Sequence, residues 1–425
     1  MKRDAIAAAV LTMLLALPSA QAETVADWNA RASVIFAGAG MDPGLSHRAL
    51  ALFHTALYQA GSEASQRDPA MSEASLAVAM AAAGRVVLLQ LAPAKQAEID
   101  AAYPATPPDT GAAADAVVSS ARAGAARAGA TGAGAAVAAG ASELAAAGAR
   151  VAANLLAARS ADSAAVAMPN SYRPITTAGV YVPTTLPVGM QWPQRTPWLM
   201  ASQTALRPAP PPTLAGAVWA RDYNEILAIG GANSRRRSAE QTVIARFWEG
   251  SMPPLFYSVV RSVAEAPERG LLQNARLYAA VAQAIDDASI AVFEAKYHYL
   301  FWRPVTAIRN GDIDGNDATT RDPSWTPLLT TPMHPEYPCA HCAVSGAVAA
   351  VLQAELGSAA HPVEATSTTP GLGTRRWSNI GDFSREVAES RIYAGMHYRN
   401  STEAGTALGR QAGELAAAAF HLGQR

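Results

Sequence analysis

Three stretches in the last third of the chain combine residue types that hold and transform small oxyanions. In the first, Lys296-Tyr-His-Tyr-Leu-Phe-Trp-Arg303-Pro304, two cations stand seven residues apart, about two turns, at the end of a long apolar-periodic segment. Both can face the same side, Arg303 with a planar fork that grips an oxyanion through two hydrogen bonds, and Pro304 is expected to end the helix. The second stretch, His334-Pro-Glu-Tyr-Pro338-Cys339-Ala340-His341-Cys342, runs into an Ala/Val-rich segment that reads as a helix. Such a turn presents unpaired backbone N–H groups and the positive end of the helix dipole, so Cys339 and Ala340 would line an anion cradle. His341 would stand beside it as an acid or base. The third, Ser390-Arg391-Ile-Tyr-Ala-Gly395-Met-His397, adds a third fixed cation, a glycine that permits close backbone approach, and a histidine that is a candidate nucleophile or metal-oxo ligand. A Lys/Arg pair alone is usually a solvated helix face, and a lone histidine is usually structural. The two histidines together with the Lys/Arg set reverse that judgement.

Cys339 and Cys342 are the chain's two cysteines, so no disulfide framework holds the fold. Their C-x-x-C spacing at a helix start suits a redox pair, with the first thiol acidified by the helix N-terminus. The chain lacks the strand-helix alternation of a thiol-disulfide oxidoreductase of the thioredoxin type. Two thiols with one histidine between them also cannot complete a tetrahedral zinc site without distant ligands.

These residues must be positioned by helices. Periodicity predicts helices over His47 to Ala60, Glu73 to Leu91, Ala220 to Ile229, Ser238 to Trp248, Pro254 to Ala264, Asn274 to Ala295, His341 to Leu356, Ser384 to Met396 and Thr402 to Phe420. Alternating strand-like runs are nearly absent, and the expected class is an all-α helical bundle. The chain divides into four regions. Residues 1–22 read as a signal peptide, with basic Lys2 and Arg3, an apolar run of about 13 residues, too short for the roughly 20 a bilayer needs, and an Ala20-Gln21-Ala22 cleavage site. Residues 23–167 form an Ala-rich helical region whose Ala/Gly part, 111–165, is expected to make two closely packed helices. Residues 168–215 read as a Pro-rich extended connector over the surface, and 216–425 as the domain carrying the site.

The order K-x6-R-P, then P-x-x-H, then S-R-x5-H resembles the three-part signature of the superfamily that joins vanadium-dependent haloperoxidases to type 2 phosphatidic acid phosphatases and bacterial acid phosphatases. Phe301 to Arg309, Asp322 to Leu329, His334 to Pro338, Ala220 to Glu225, Gln241-Thr242 and Phe247-Trp248 look like its soluble, haloperoxidase-like branch. The resemblance covers roughly Gly179 to Gly413. It implies that Lys296, Arg303 and Arg391 hold the equatorial oxygens of vanadate or phosphate. His397 would ligate vanadium or form a phosphohistidine, and His341 would manage a proton. The cofactor implied is vanadate for a haloperoxidase acting on peroxide and halide, and none for a phosphatase acting on a phosphomonoester. A noncatalytic oxyanion-binding protein is a third reading. Departures stand at two motifs. The usual Pro-Ser-Gly-His is Pro338-Cys339-Ala340-His341, with a thiol in place of a hydroxyl donor, and the acid usually found four residues after the last histidine is Ser401, with Glu403 the nearby acid that could substitute.

A formal net charge of -1 and an isoelectric point near 6.7 leave no electrostatic case for nucleic acid as the main partner, so anion chemistry must come from a local cluster. With the signal removed no transmembrane segment is expected, and the mature protein is expected to be periplasmic or secreted.

Overall fold

The computed structural model describes residues 24–103, 130–162, 172–173, 175–183, 185–250, 252–357 and 360–423. The expected signal segment and residues 111–129 and 163–165 of the Ala/Gly-rich stretch lie outside them. The architecture is the expected all-α bundle.

The axis is a 29-residue helix, α9 (Leu271–Tyr299), in which nearly every residue from Asn274 to Val292 is buried. Ala, Val and Ile occupy all its faces, so no side prefers water and the helix must run through the core. An N-terminal layer covers one side of it: α1 (Val25–Gly38), α2 (Pro43–Arg67), α3 (Glu73–Leu91), the short α4 (Gln96–Ala102) and α5 (Ala130–Ala158). Helix α3 is apolar and long enough to cross a membrane, yet it packs between α2 and α5. A Cβ at Gly148 of α5 would overlap the carbonyl of Ala79, so only glycine admits this contact. Of the two helices expected over 111–165, the described part is the single helix α5.

The second half adds α6 (Ala217–Ile229), α7 (Ala239–Phe247), α8 (Met252–Ala264), α10 (Pro304–Arg309), α11 (Ala340–Leu356), α12 (Ile380–Tyr393) and α13 (Arg399–Ala419). Helices α11 and α13 make the most intimate pair. Gly405, Gly409 and Gly413 recur every four residues on one face of α13, and a Cβ on any of them would strike the backbone carbonyls of Cys339, Ala343 and Ala347 in turn. Small residues thus bring the backbone of the second motif against the start of the last helix.

Two features differ from the expectation. A short antiparallel hairpin, β1 (Val363–Thr366) and β2 (Thr374–Trp377), links α11 to α12. The Pro-rich connector is not merely superficial, for Tyr181, Trp192, Arg195 and Met200 are buried. The Trp198 indole donates to Asp286 on α9 (2.7 Å), and Asp286 also accepts from the buried Arg48 of α2. The prolines prevent helix, but the aromatic residues between them pin the segment to the core.

Candidate active site

The first motif does not run along one helix. Helix α9 stops at Leu300, which takes a left-handed conformation (φ 50°), a state that costs a non-glycine residue about 1–3 kcal/mol. The break is held by Tyr181 N–H donating to Leu300 O (2.7 Å) and Trp302 N–H donating to Gly179 O (3.0 Å). Lys296 therefore comes from the last turn of α9 and Arg303 from the N-cap of α10, where Pro304 opens a helix instead of ending one. The two cations converge because the chain turns, and not because they share a helix face.

In the second motif the Tyr337–Pro338 peptide is cis and Cys339 caps α11, its sulfur accepting from Cys342 N–H (3.3 Å). Cys339 N–H donates to Ser401 O (3.1 Å), which fixes this turn to α13. The amides of Ala340 and His341 have no protein acceptor among the described residues, as expected for a first helical turn. In the third motif Gly395 (φ 79°) reverses the chain after α12, so that Met396 and His397 N–H both donate to Arg391 O (3.0 and 3.3 Å). The string Ala220 to Glu225 clamps the start of α13: Asp222 accepts from Asn400 N–H (2.8 Å) and Glu225 from Arg399 Nε (2.9 Å).

Lys296, Arg303, Arg391 and His397 are 0, 1, 2 and 2% exposed, so this is a cationic cluster shut off from bulk water. Lys296 Nζ donates to the carbonyls of Pro335 and Glu336 (2.9 and 2.8 Å). Arg303 donates to His334 O (2.9 Å), His334 Nδ1 (2.9 Å), Met396 O (3.1 Å) and His397 Nε2 (3.3 Å). Arg391 donates to Trp248 O (3.1 Å) and to the Met396 sulfur (2.7 Å), and its buried Nε has no partner. None of the three cations forms an ion pair with a carboxylate among the described residues. On the other edge of His397, Nδ1 lies 2.8 Å from Glu336 Oε1, which also accepts from Tyr398 N–H (3.1 Å), and 3.4 Å from Ser401 Oγ. Arginine only donates, so His397 Nε2 carries the lone pair and Nδ1 the proton.

Burial and the neighbouring cations shape every protonation state. Burial, with Arg303 beside it, pushes the Lys296 ammonium down to about 7, and burial pushes Arg303 down to about 10. Burial and then Arg303, Lys296 and Arg391 hold His397 well below the usual histidine range, so its imidazole is neutral. His341 is held low in the same way, by burial first, then Arg391 and His47. Burial raises the Glu336 carboxyl to about 8 against the pull of Lys296 and Arg303.

The structure brings Lys296, Arg303, Arg391, His397 and the Cys339-Ala340-His341 turn together. Cys339 and Cys342 are free, buried thiols in this structure, and Cys339 offers its sulfur to the helix as a cap acceptor. Two expectations need correction. Gly395 makes its close approach to Gly230 and Pro327, so it shapes the turn and does not face the cations. Glu403 is exposed and cannot orient His397. Sequence reading missed Glu336, His334 and Met396 as partners of the cluster. It also missed the buried His47 of α2, a neutral imidazole whose ring nitrogens have no partner among the described residues and which lies close enough to His341 to oppose its protonation. Glu336 alone carried a signal, being the one acid inside the second motif.

Comparison with known proteins bears on the fold. Residues 276–422 match the family model described as the VCPO second helical-bundle domain. The vanadium chloroperoxidase of Curvularia inaequalis is 32% identical over an alignment taking in 33% of this chain and 28% of that protein, so the matched region spans under a third of the curated relative. Among solved structures, a bacterial vanadium-dependent iodoperoxidase superposes with a TM-score of 0.72 at 20% identity, covering 93% of this chain and 95% of that one. A bacterial vanadium-dependent chloroperoxidase in its apo form gives 0.66 at 16% identity, covering 90% and 94%. At these identities the superpositions establish a shared fold.

Proposed function

For a chain that belongs to the superfamily of vanadium-dependent haloperoxidases and type 2 phosphatidic acid phosphatases, we propose the function of an exported enzyme that binds vanadate at the Lys296/Arg303/Arg391/His397 cluster and oxidises halide with peroxide. The observation that carries this reading is the excess of buried positive charge: three cations without an ion-paired carboxylate surround a neutral imidazole. Charges buried this way are costly unless a counter-charge is present, and a compact oxyanion supplies one.

The donor set fits vanadate. The unpartnered Arg391 Nε, the remaining proton of Lys296 Nζ and the free amides of Ala340 and His341 are available to oxygens of a small tetrahedral anion. His397 Nε2 carries the lone pair, which now accepts from Arg303 and would be turned to the metal when the anion takes over the Arg303 donor. Bound vanadate would supply a Lewis-acid centre that activates peroxide toward halide. The chain's own residues would hold the anion's charge through Lys296, Arg303 and Arg391, and keep His397 unprotonated. His341, partly exposed and kept neutral by burial and Arg391, would accept a proton from a neighbouring oxygen species.

A phosphomonoesterase is the second reading, favoured by the same neutral His397 Nε2, which is equally suited to attack phosphorus, while His341, protonated from solvent once a bound dianion offsets the cations that hold it neutral, would pass that proton to the leaving group. The thiol at Cys339, where the family signature it resembles carries a hydroxyl, counts against sustained peroxide chemistry, since a sulfur beside that site is oxidisable. The deciding experiment uses purified protein with orthovanadate, peroxide and bromide, and separately p-nitrophenyl phosphate with and without vanadate, each against His397→Ala. Vanadate-dependent bromination lost in the variant supports the proposal. Vanadate-inhibited phosphate release supports the second reading, and neither activity leaves a noncatalytic oxyanion binder.

A further inference from the structure

We infer that Glu336 is the positioning residue for His397, supplying from the second motif the orienting carboxyl group that position 401 of the last helix lacks. The inference deepens the oxyanion reading, because it concerns how His397 is aimed at the bound group.

Residue 401 occupies the place where a carboxylate would be reached from α13, and its serine stands 3.4 Å from His397 Nδ1, a poor hydrogen-bond length. Glu336 Oε1 stands 2.8 Å from the same nitrogen, and no part of Glu336 is exposed. Its position is fixed at both ends. The main chain is held by Glu336 N–H donating to Phe301 O (2.9 Å) and by Lys296 donating to Glu336 O (2.8 Å). The side chain is held because Oε1 must also accept from Tyr398 N–H, the residue next to His397. A group so constrained locks the ring plane and the tautomer of His397. With the proton on Nδ1, Nε2 is left as the nucleophilic or ligating nitrogen.

The arrangement also ties two motifs into one device. Lys296 binds the carbonyl of the residue whose carboxyl orients His397, so the cation that faces the anion and the histidine that meets it share one support. A role confined to packing would be met by any side chain of similar volume. The second oxygen, Oε2, is buried with no partner among the described residues, a costly state in a purely structural carboxyl.

The test compares wild type, Glu336→Gln, Glu336→Ala and Glu336→Ala/Ser401→Asp, all checked for folding by thermal melting. Two readouts are taken: the 15N shifts of the His397 ring, and the affinity for orthovanadate by titration calorimetry. Wild type should show a protonated Nδ1 and an unprotonated Nε2. Glu336→Ala should mix the tautomers and weaken vanadate binding about 10–100-fold, Glu336→Gln should weaken it less, and Ser401→Asp should recover both signals. If Glu336→Ala destroys folding, Glu336→Gln decides through the same readouts. An unchanged tautomer and unchanged affinity in a folded Glu336 variant would overturn the inference. Absence of vanadate binding in wild type would overturn the oxyanion reading, while the 15N pattern would still decide the role of Glu336.

Discussion

Arg303 Nη1 lies 3.3 Å from His397 Nε2, so a fixed, buried cation rests against the nitrogen that must meet an incoming anion. The contact has two consequences. It forbids protonation of Nε2, and it places one of the guanidinium's donors where the anion would sit. Arg303→Met should therefore raise the His397 pKa from its strongly depressed value, since a cation that lowers it is gone. It should also weaken oxyanion binding about 10- to 100-fold, the worth of one or two charge-assisted hydrogen bonds. Histidine NMR titration and vanadate calorimetry check the two effects.

The pH dependence of binding should follow Lys296. Its ammonium is held down to about 7, by burial and Arg303, so the unliganded site loses one of its three positive charges as pH rises through that value. Affinity for phosphate should fall across this window in wild type. In Lys296→Arg the cation persists, and the ratio of the two affinities cancels the titration of the ligand itself. A ratio independent of pH between about 6 and 9 would contradict the assignment.

Two glycines with left-handed backbones separate strain from contact. Gly40 (φ 76°) faces open space, whereas a Cβ at Gly395 (φ 79°) would overlap the carbonyl of Gly230 and touch Pro327. Gly40→Ala should cost about 1–2 kcal/mol from conformation alone. Gly395→Ala should cost more, and it should loosen the turn that carries His397. Urea unfolding of both variants, with vanadate affinity of the second, measures the difference.

Cys339 spends its sulfur on capping α11, and a hydroxyl caps a helix better than a thiol. Cys339→Ser should therefore raise stability by about 0.5–1 kcal/mol. Together with Ala340→Gly it should tighten oxyanion binding by adding a donor and removing a methyl from the cradle. Calorimetry and thermal melting of the double variant check both parts.

Much of this arrangement was legible because it depends on local chemistry. Periodicity exposed the helices, and the order and spacing of three short motifs, with the family signature they resemble, exposed Lys296, Arg303, His341, Arg391 and His397. What stayed hidden depends on contacts between distant segments. The break at Leu300 is held by Gly179 and Tyr181, more than a hundred residues earlier, so the sequence read Lys296 and Arg303 as one helix face. Glu336 could not be linked to His397 without knowing that the glycine face of α13 draws the second motif onto the last helix. The connector's buried aromatics were masked by its prolines, which report on backbone and say nothing of burial.

The three buried cations and His397 should behave as one oxyanion site. That is tested most directly by titrating orthovanadate into the wild-type protein and into Arg391→Ala, following heat in the absence of peroxide and halide. One saturable site per chain, displaced by phosphate and weakened at least about tenfold in Arg391→Ala, is the predicted result. No saturable binding by a folded wild-type protein, or binding that Arg391→Ala leaves unchanged, would contradict it.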